Sequence, residues 1–173
     1  HASERLGDPA LREKEYGIWQ TWSWQRAYDE VRWMAAGLAA LGFAPGHNLA
    51  IVGDNRPYLY LMFLSVQALR GVPVPMYQDA VASECVFPIN NAEVRFAVVE
   101  DQEQVDKMLE IREQCPQLQH VFYDDPRGLR NYDEPGLAAV DELVAAGKVF
   151  AQVHPQFFET EVKQAQPDDV AAM

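Results

Sequence analysis

Ala50-Ile51-Val52-Gly53-Asp54-Asn55-Arg56-Pro57, running on to Gly71-Val72-Pro73-Val74-Pro75-Met76-Tyr77, is the stretch that decides the fold. Residues 49–52 form a short continuous apolar run, as expected of a strand covered on both faces. The turn at 53–56 has one glycine, and Asp54 or Asn55 is placed to cap the helix that follows. Pro57 fits the first helical position, where its missing N–H costs nothing. Leu59, Met62, Phe63, Val66 and Leu69 then fall on one stripe, and Gly71 is read as the residue that ends the helix. Residues 72–77 are extended, but Pro73 and Pro75 remove two ladder donors and predict a short or edge strand. Strand, helix and strand in this order make one parallel crossover unit, the building block of many nucleotide- and cofactor-handling α/β proteins.

Working outward, residues 1–22 read as irregular and rich in aromatics. Ser23 is placed as a helix N-cap, followed by Ala27, Val31, Met34, Ala35, Leu38 and Leu41 at three- and four-residue spacing, with Gly42 closing the helix. Downstream, Ser83 is placed to cap a weaker helix that Pro88 should bend or shorten. Residues 95–100 predict a strand, and Asp101 with Gln104 a capping box. That box opens a helix carrying Val105, Met108, Leu109 and Arg112, stopped at Cys115-Pro116. Residues 121–123 predict another strand and 124–135 an exposed loop. Helices are expected around 139–146 and 155–164, and a further strand is expected to begin at 170–173. Strands alternating with helices predict an α/β fold, a doubly wound and mainly parallel sheet flanked by helices, forming one domain over 1–173.

Composition sets the outer limits. Hydrophobic residues make up 49% and charged residues 23%, the balance of a soluble globular domain. No apolar run approaches the roughly 20 residues that span a bilayer, so no transmembrane segment is expected. Residues 1–5 do not have the form of a signal peptide, and a cytoplasmic location is expected. Two cysteines, Cys85 and Cys115, are too few for a disulfide framework and read as buried reduced thiols. Residues 1–70 hold seven basic and seven acidic side chains and residues 71–173 seven and nineteen, so the whole net charge of −12 lies in the second part. Such a surface repels phosphate backbones and anionic lipids, so no nucleic-acid partner is expected.

Candidate chemistry is sparse. The only Gly-Lys pair is Gly147-Lys148, and Glu142 occupies the position where a P-loop needs glycine. No Gly-x-Gly-x-x-Gly follows a strand, and the nucleophile elbow Gly-x-Ser-x-Gly is absent. His1, His47, His120 and His154 are scattered without metal-ligand spacing. The acid pairs Asp124-Asp125, Asp133-Glu134 and Asp168-Asp169 lie beside Pro or Gly and read as solvated loops. The tryptophans at 19, 22, 24 and 33 read as core or contact anchors. No catalytic, cofactor-binding or metal-binding residue is therefore assigned from these residues.

Several segments in order resemble the N-terminal region of the AMP-forming acyl-CoA synthetases, the adenylate-forming ligase superfamily. They are residues 16–24 (Tyr-Gly-Ile-Trp-Gln-Thr-Trp-Ser-Trp), 35–42, 51–57, 71–77 and 100–107. Residues 125–132 (Asp-Pro-Arg-Gly-Leu-Arg-Asn-Tyr) are similar to the long-chain fatty acid–CoA ligase branch. The resemblance covers about 10–173. His47, Tyr58 and Pro88 depart from the pattern: relatives usually carry an acid before the strand, an acid after Asn-Arg-Pro and a regular helix.

The resemblance implies a flavodoxin-like N-terminal subdomain of a larger AMP-binding domain. The parent would use ATP, Mg2+ and coenzyme A to turn a carboxylic acid into an acyl-adenylate and then a thioester. The ATP loop, the magnesium-binding Glu and the catalytic Lys of that family come after positions like 168–173. None is carried over, and the chain itself is expected to be an inactive scaffold that binds none of these cofactors. A free-standing flavodoxin-like binding module and a piece of another adenylating enzyme, aryl-acid or carrier-protein loading, are the alternatives. Exposed sheet edge and apolar surface make a homo-oligomer a further expectation.

Overall fold

The computed structural model describes residues 3–173. Its centre is a parallel sheet of five strands, built on the unit that the sequence predicts. In chain order the elements are β1 (Pro9–Glu15), β2 (Ile18–Ser23), α1 (Trp24–Ala40), β3 (Asn48–Val52), α2 (Pro57–Ala68), β4 (Val72–Met76) and α3 (Ala82–Asn91). There follow β5 (Phe96–Val99), α4 (Gln102–Glu110), a 3-10 turn (Arg112–Gln114), β6 (His120–Tyr123), β7 (Leu137–Ala139), α5 (Val140–Val153) and α6 (Phe157–Lys163). The strand order is β4-β3-β5-β6-β7, and every pairing in this sheet is parallel.

Period-two alternation splits the strands between two cores. Leu49, Ile51, Phe96, Val98 and Phe122 face a layer built from α1, α2, α5 and Phe158 of α6. Ala50, Val52, Val74, Ala97, Val99 and Val121 face α3 and α4. The doubly wound expectation holds, and β4 with its two prolines lies at an edge, paired only with β3.

Helix ends follow the expected chemistry in some places and not in others. Ser23 accepts from the Arg26 N–H at 3.2 Å and caps α1. Gly42, at φ 85°, closes that helix with its N–H on the Ala39 carbonyl while the Phe43 N–H bonds that of Leu38. Ser23→Ala is expected to cost about 1 kcal/mol, read as a lower urea midpoint; an unchanged midpoint would show the cap contributes nothing.

At the end of α2 the left-handed residue is Arg70 (φ 56°), not Gly71. Gly71 is glycine for another reason: a Cβ there would meet the Phe43 ring, with Cζ at 2.5 Å. Neither Asp54 nor Asn55 caps α2; Arg56 occupies the N-cap position and makes no side-chain cap bond. Asn55 instead accepts from the Tyr60 hydroxyl at 2.8 Å, and Asp54 from Gln78 Nε2 at 2.7 Å.

Ser83 is not a cap either. Val81 precedes α3, and the Glu84 carboxylate accepts from its N–H at 3.2 Å. The helix continues past Pro88 to Asn91. Asp101 caps α4, accepting from the Gln104 N–H at 3.3 Å.

Among the larger elements two expectations are overturned and one strand was not anticipated. Within the stretch read as irregular, β1 and β2 form an antiparallel hairpin turned by Tyr16 (φ 47°) and Gly17 (φ 80°). This is the two-residue, positive-φ turn that suits strand twist, made here without the usual Asn-Gly. Residues 137–139, adjoining the predicted loop, form the fifth strand against β6. Residues 170–173 form no strand; the Met173 N–H donates to the Pro73 carbonyl at 3.2 Å, and Gln67 Nε2 to that of Ala171 at 2.8 Å. Among the described residues no helix is long and apolar enough to cross a membrane.

Candidate functional site

The crossover after β3 leaves on the α2 face and leads to β4, while the crossover after β5 leaves on the α4 face and leads to β6. The carboxyl ends of β3 and β5 therefore bound the switch point, where open α/β sheets place their ligands. Four chain segments meet there: the turn after β3, the residues after β5, those after β6, and the β1–β2 hairpin.

Gly53 lets the first two approach. A Cβ at Gly53 would lie 2.5 Å from Glu100 Cβ and 2.8 Å from Leu59 Cδ2. Glu100 uses that space: its Oε2 accepts from the Asp54 N–H at 2.6 Å, and its Oε1 lies 3.4 Å from Arg56 Nε. Arg56 also reaches the hairpin, with Nη1 3.7 Å from Glu13 Oε2. A second arginine repeats the arrangement further out. Arg127 grips the Asp125 carboxylate, with Nε to Oδ1 at 2.9 Å, and donates from Nη1 to the Tyr16 hydroxyl at 3.1 Å. The hairpin is thus stapled to the sheet by two guanidinium groups.

Charge is unevenly balanced here. Burial pushes the Asp124 carboxyl up to about 6; nearby Arg56 opposes the rise, and Glu13, Glu100 and Asp125 add to it. The hydrogen bonds from Arg127 hold Asp125 below its ordinary value. Asp124 and Asp125 are half-buried and part of this cluster, not the solvated pair the sequence suggested. Asp133, Glu134, Asp168 and Asp169 are exposed, as expected.

Beside the switch point, a cleft of about 240 Å³ is lined by Gly53, Asp54, Asn55, Leu59, Tyr60 and Met76, among others. Nucleotide phosphates do not fit this rim. The Asp54 amide that a phosphate would need is already taken by the Glu100 carboxylate, and the Asp54 side chain itself lines the cleft. No group of His, Cys, Asp and Glu among the described residues could hold a metal ion. The polar contacts of this rim hold the turn after β3, the end of β5 and the hairpin together.

The other flagged residues fall as follows. Cys85 and Cys115 are free and buried, and burial pushes both thiols up. Trp22 is core, stacked edge-on against Tyr58 at 5.1 Å, whereas Trp19 is 64% exposed on the hairpin and anchors no core. His1 lies outside the described residues. Glu13, Arg56 and Glu100 were missed by sequence reasoning because strand order alone joins positions so far apart.

A five-stranded parallel sheet in this order, with helices on both faces and Glu100 and Arg56 at its switch point, defines a doubly wound α/β fold. The chain belongs to the AMP-binding enzyme family, whose sequence model matches residues 1–173. It is 28% identical over 141 residues to the long-chain-fatty-acid–CoA ligase ACSBG2 of Xenopus laevis, covering 80% of this chain and 18% of that protein. Over 172 residues it is 23% identical to ACSBG1 of Bos taurus, covering 98% and 23%.

The chain spans 16% to 23% of the length of such curated relatives. Acetoacetyl-CoA synthetase from Streptomyces lividans superposes with TM-score 0.73 at 24% identity, covering 83% of this chain and 23% of that one. The anthranilate CoA ligase AuaEII, solved with anthranoyl-AMP, gives 0.71 at 16%, covering 82% and 25%. Both share the fold.

Proposed function

We propose that this chain is the first α/β layer of an ATP-dependent, AMP-forming long-chain fatty acid–CoA ligase. The observation that carries the reading is the family match along all 173 residues, joined to relatives that are fatty-acid–CoA ligases. The parent would use ATP and Mg2+ to convert a long-chain fatty acid to its acyl-adenylate and pass the acyl group to the coenzyme A thiol. Two free buried thiols suit a reducing compartment, which supports a cytoplasmic location. In this reading the layer supplies a rigid wall and positions a hairpin, and the reacting groups come from the rest of the parent.

The test uses the product of the whole gene. With ATP, magnesium, coenzyme A and a long-chain fatty acid it is expected to form acyl-CoA and release AMP and pyrophosphate. The 173-residue chain alone is expected to do neither, and to give no magnesium-dependent heat with ATP. Turnover of aryl acids with none of fatty acids would refute the substrate class. Tight ATP binding by the chain alone would refute the scaffold role.

A further inference from the structure

At the opposite, amino-terminal edge of the sheet, three nitrogen-rich side chains stand at the start of three adjacent strands, with His120 in register with Phe96, the residue after Arg95. His47 immediately precedes β3, Arg95 immediately precedes β5, and His120 opens β6. We propose that Arg95, His47 and His120 form a binding site for a small oxyanion of the phosphate class. This site is separate from the carboxylate-rich crevice and independent of the ligase reading.

The first argument is donor counting. The Ala44 N–H donates to His47 Nδ1 at 3.2 Å, so the neutral ring carries its proton on Nε2. That Nε2 lies 3.5 Å from Arg95 Nη1. Two donors therefore face each other, and neither can accept from the other. An acceptor seated between them, best an anion, would satisfy both.

The second argument is the lack of a counter-charge. Arg95 makes no ion pair among the described residues, although Arg56, Arg70, Arg112 and Arg127 each do. Its one other side-chain contact is a long 3.5 Å bond to the Gln119 amide oxygen. The surrounding charges are spent or turned away. Arg70, whose carbonyl accepts from Gly46 beside His47, pairs with Glu161 at 2.9 Å. Arg112, on the β7 side of Gln119, pairs with Glu134 at 3.6 Å. Glu93, two residues before Arg95, is exposed and unpaired with it. In a chain of net charge −12, Arg95 is thus a half-exposed cation with no carboxylate in contact.

The third argument is rigidity. His120 stacks on Phe96 at 5.0 Å and on Phe122 at 6.3 Å, and His47 packs edge-on against Phe43 at 5.6 Å. Their rings are held in place before any ligand arrives. Burial and then Arg95 keep both imidazoles below their ordinary pKa, so near neutral pH the uncharged forms are favoured and His47 presents its Nε2 proton. An anion would reverse the Arg95 effect and raise both values, and so would bind more tightly as pH falls.

The experiment is an NMR titration of the imidazole resonances of His47 and His120 against pH, with inorganic phosphate or with chloride at matched ionic strength. Phosphate is expected to raise both apparent pKa values by about half a unit to one unit, each shift meaning that protonating that imidazole tightens binding of a given phosphate ion about threefold to tenfold. A parallel arm with adenosine monophosphate separates the sources. Equal shifts in both arms mean that the phosphate group alone is recognised, and larger ones with additional Phe43 and Phe96 perturbation mean a nucleotide. Arg95→Gln should weaken the response at least tenfold, and His47→Asp should abolish it by giving Arg95 an internal carboxylate. Wild-type shifts that phosphate and chloride produce equally, or an undiminished response in folded Arg95→Gln, would overturn the site. The wild-type titration decides even if a variant fails to fold.

Discussion

Gly147→Ala is expected to destabilise the chain by about 3 kcal/mol or more, one of the two largest single-site effects anticipated. Helix propensity alone predicts the reverse, because alanine gains about 1 kcal/mol over glycine inside a helix. Geometry decides against it. Gly147 on α5 faces the backbone of α1, where a Cβ would collide with the Trp33 carbonyl group and come within 2.8 Å of the Gly37 nitrogen. Gly37 makes the reciprocal approach, and a Cβ there would meet the Leu143 carbonyl and lie 2.8 Å from Leu143 Cδ1. Backbone atoms cannot rotate aside as a side chain would, so the helices must separate. Separation opens voids among Met34, Leu38, Leu143 and Val144, all in one core, and strains the Lys148 contact with the Trp33 ring at 4.2 Å. Urea denaturation followed by circular dichroism reads the effect. Gly7→Ala is the control, since a Cβ there meets nothing within 4 Å, and it should change stability by less than about 0.5 kcal/mol. If Gly147→Ala unfolds at the wild-type midpoint, the close helix contact does not exist.

What the sequence showed and what it hid follow from how far each signal reaches. The strands at 49–52, 96–99 and 121–123 were legible because a strand covered on both faces must be largely apolar, and three or four such residues in a row are visible locally. The first helix was legible at both ends because Ser23 and Gly42 each do a job few residues can do. β7 was hidden because Leu-Ala-Ala carries no β-branched or aromatic residue and owes its conformation to pairing with β6. The hairpin was hidden because Tyr16 takes the positive-φ place of an Asn and only Trp22 of β2 is buried. Gly71 was assigned the wrong reason, since the sequence cannot show that Phe43 returns to lie against it. The cluster of Glu13, Arg56, Glu100 and Asp124 had no local signature at all. Strand order, which composition and spacing do not encode, assembles it. The facing donors of His47 and Arg95 were invisible for the same reason.

That cluster carries the second large effect: Arg56→Met is expected to cost about 2–3 kcal/mol at pH 8 and less at pH 4. Arg56 is the cation between Glu13 and Glu100, and it also opposes the raised pKa of Asp124. Removing it leaves carboxylates facing one another across the hairpin junction. The sign of the pH dependence comes from Asp124, whose carboxyl titrates at about 6 in the fold against 3.8 for the free group. Below 3.8 both states are protonated and Asp124 costs nothing. Between 3.8 and about 6 the unfolded chain gives up its proton while the fold keeps it, so stability falls as pH rises. Above about 6 the full cost of the half-buried charge is present. Asp124→Asn therefore should stabilise the chain at pH 8 by about 1–2 kcal/mol, after allowance for solvent screening, and the gain should vanish near pH 4. In the double variant, part of the Arg56→Met loss should be recovered, because the charge left most exposed to it is gone. Denaturation midpoints of all four proteins between pH 4 and pH 8 provide the check. Parallel pH profiles for wild type and Asp124→Asn would mean that Asp124 titrates as an ordinary surface carboxylate and that Arg56 holds the hairpin without regard to it.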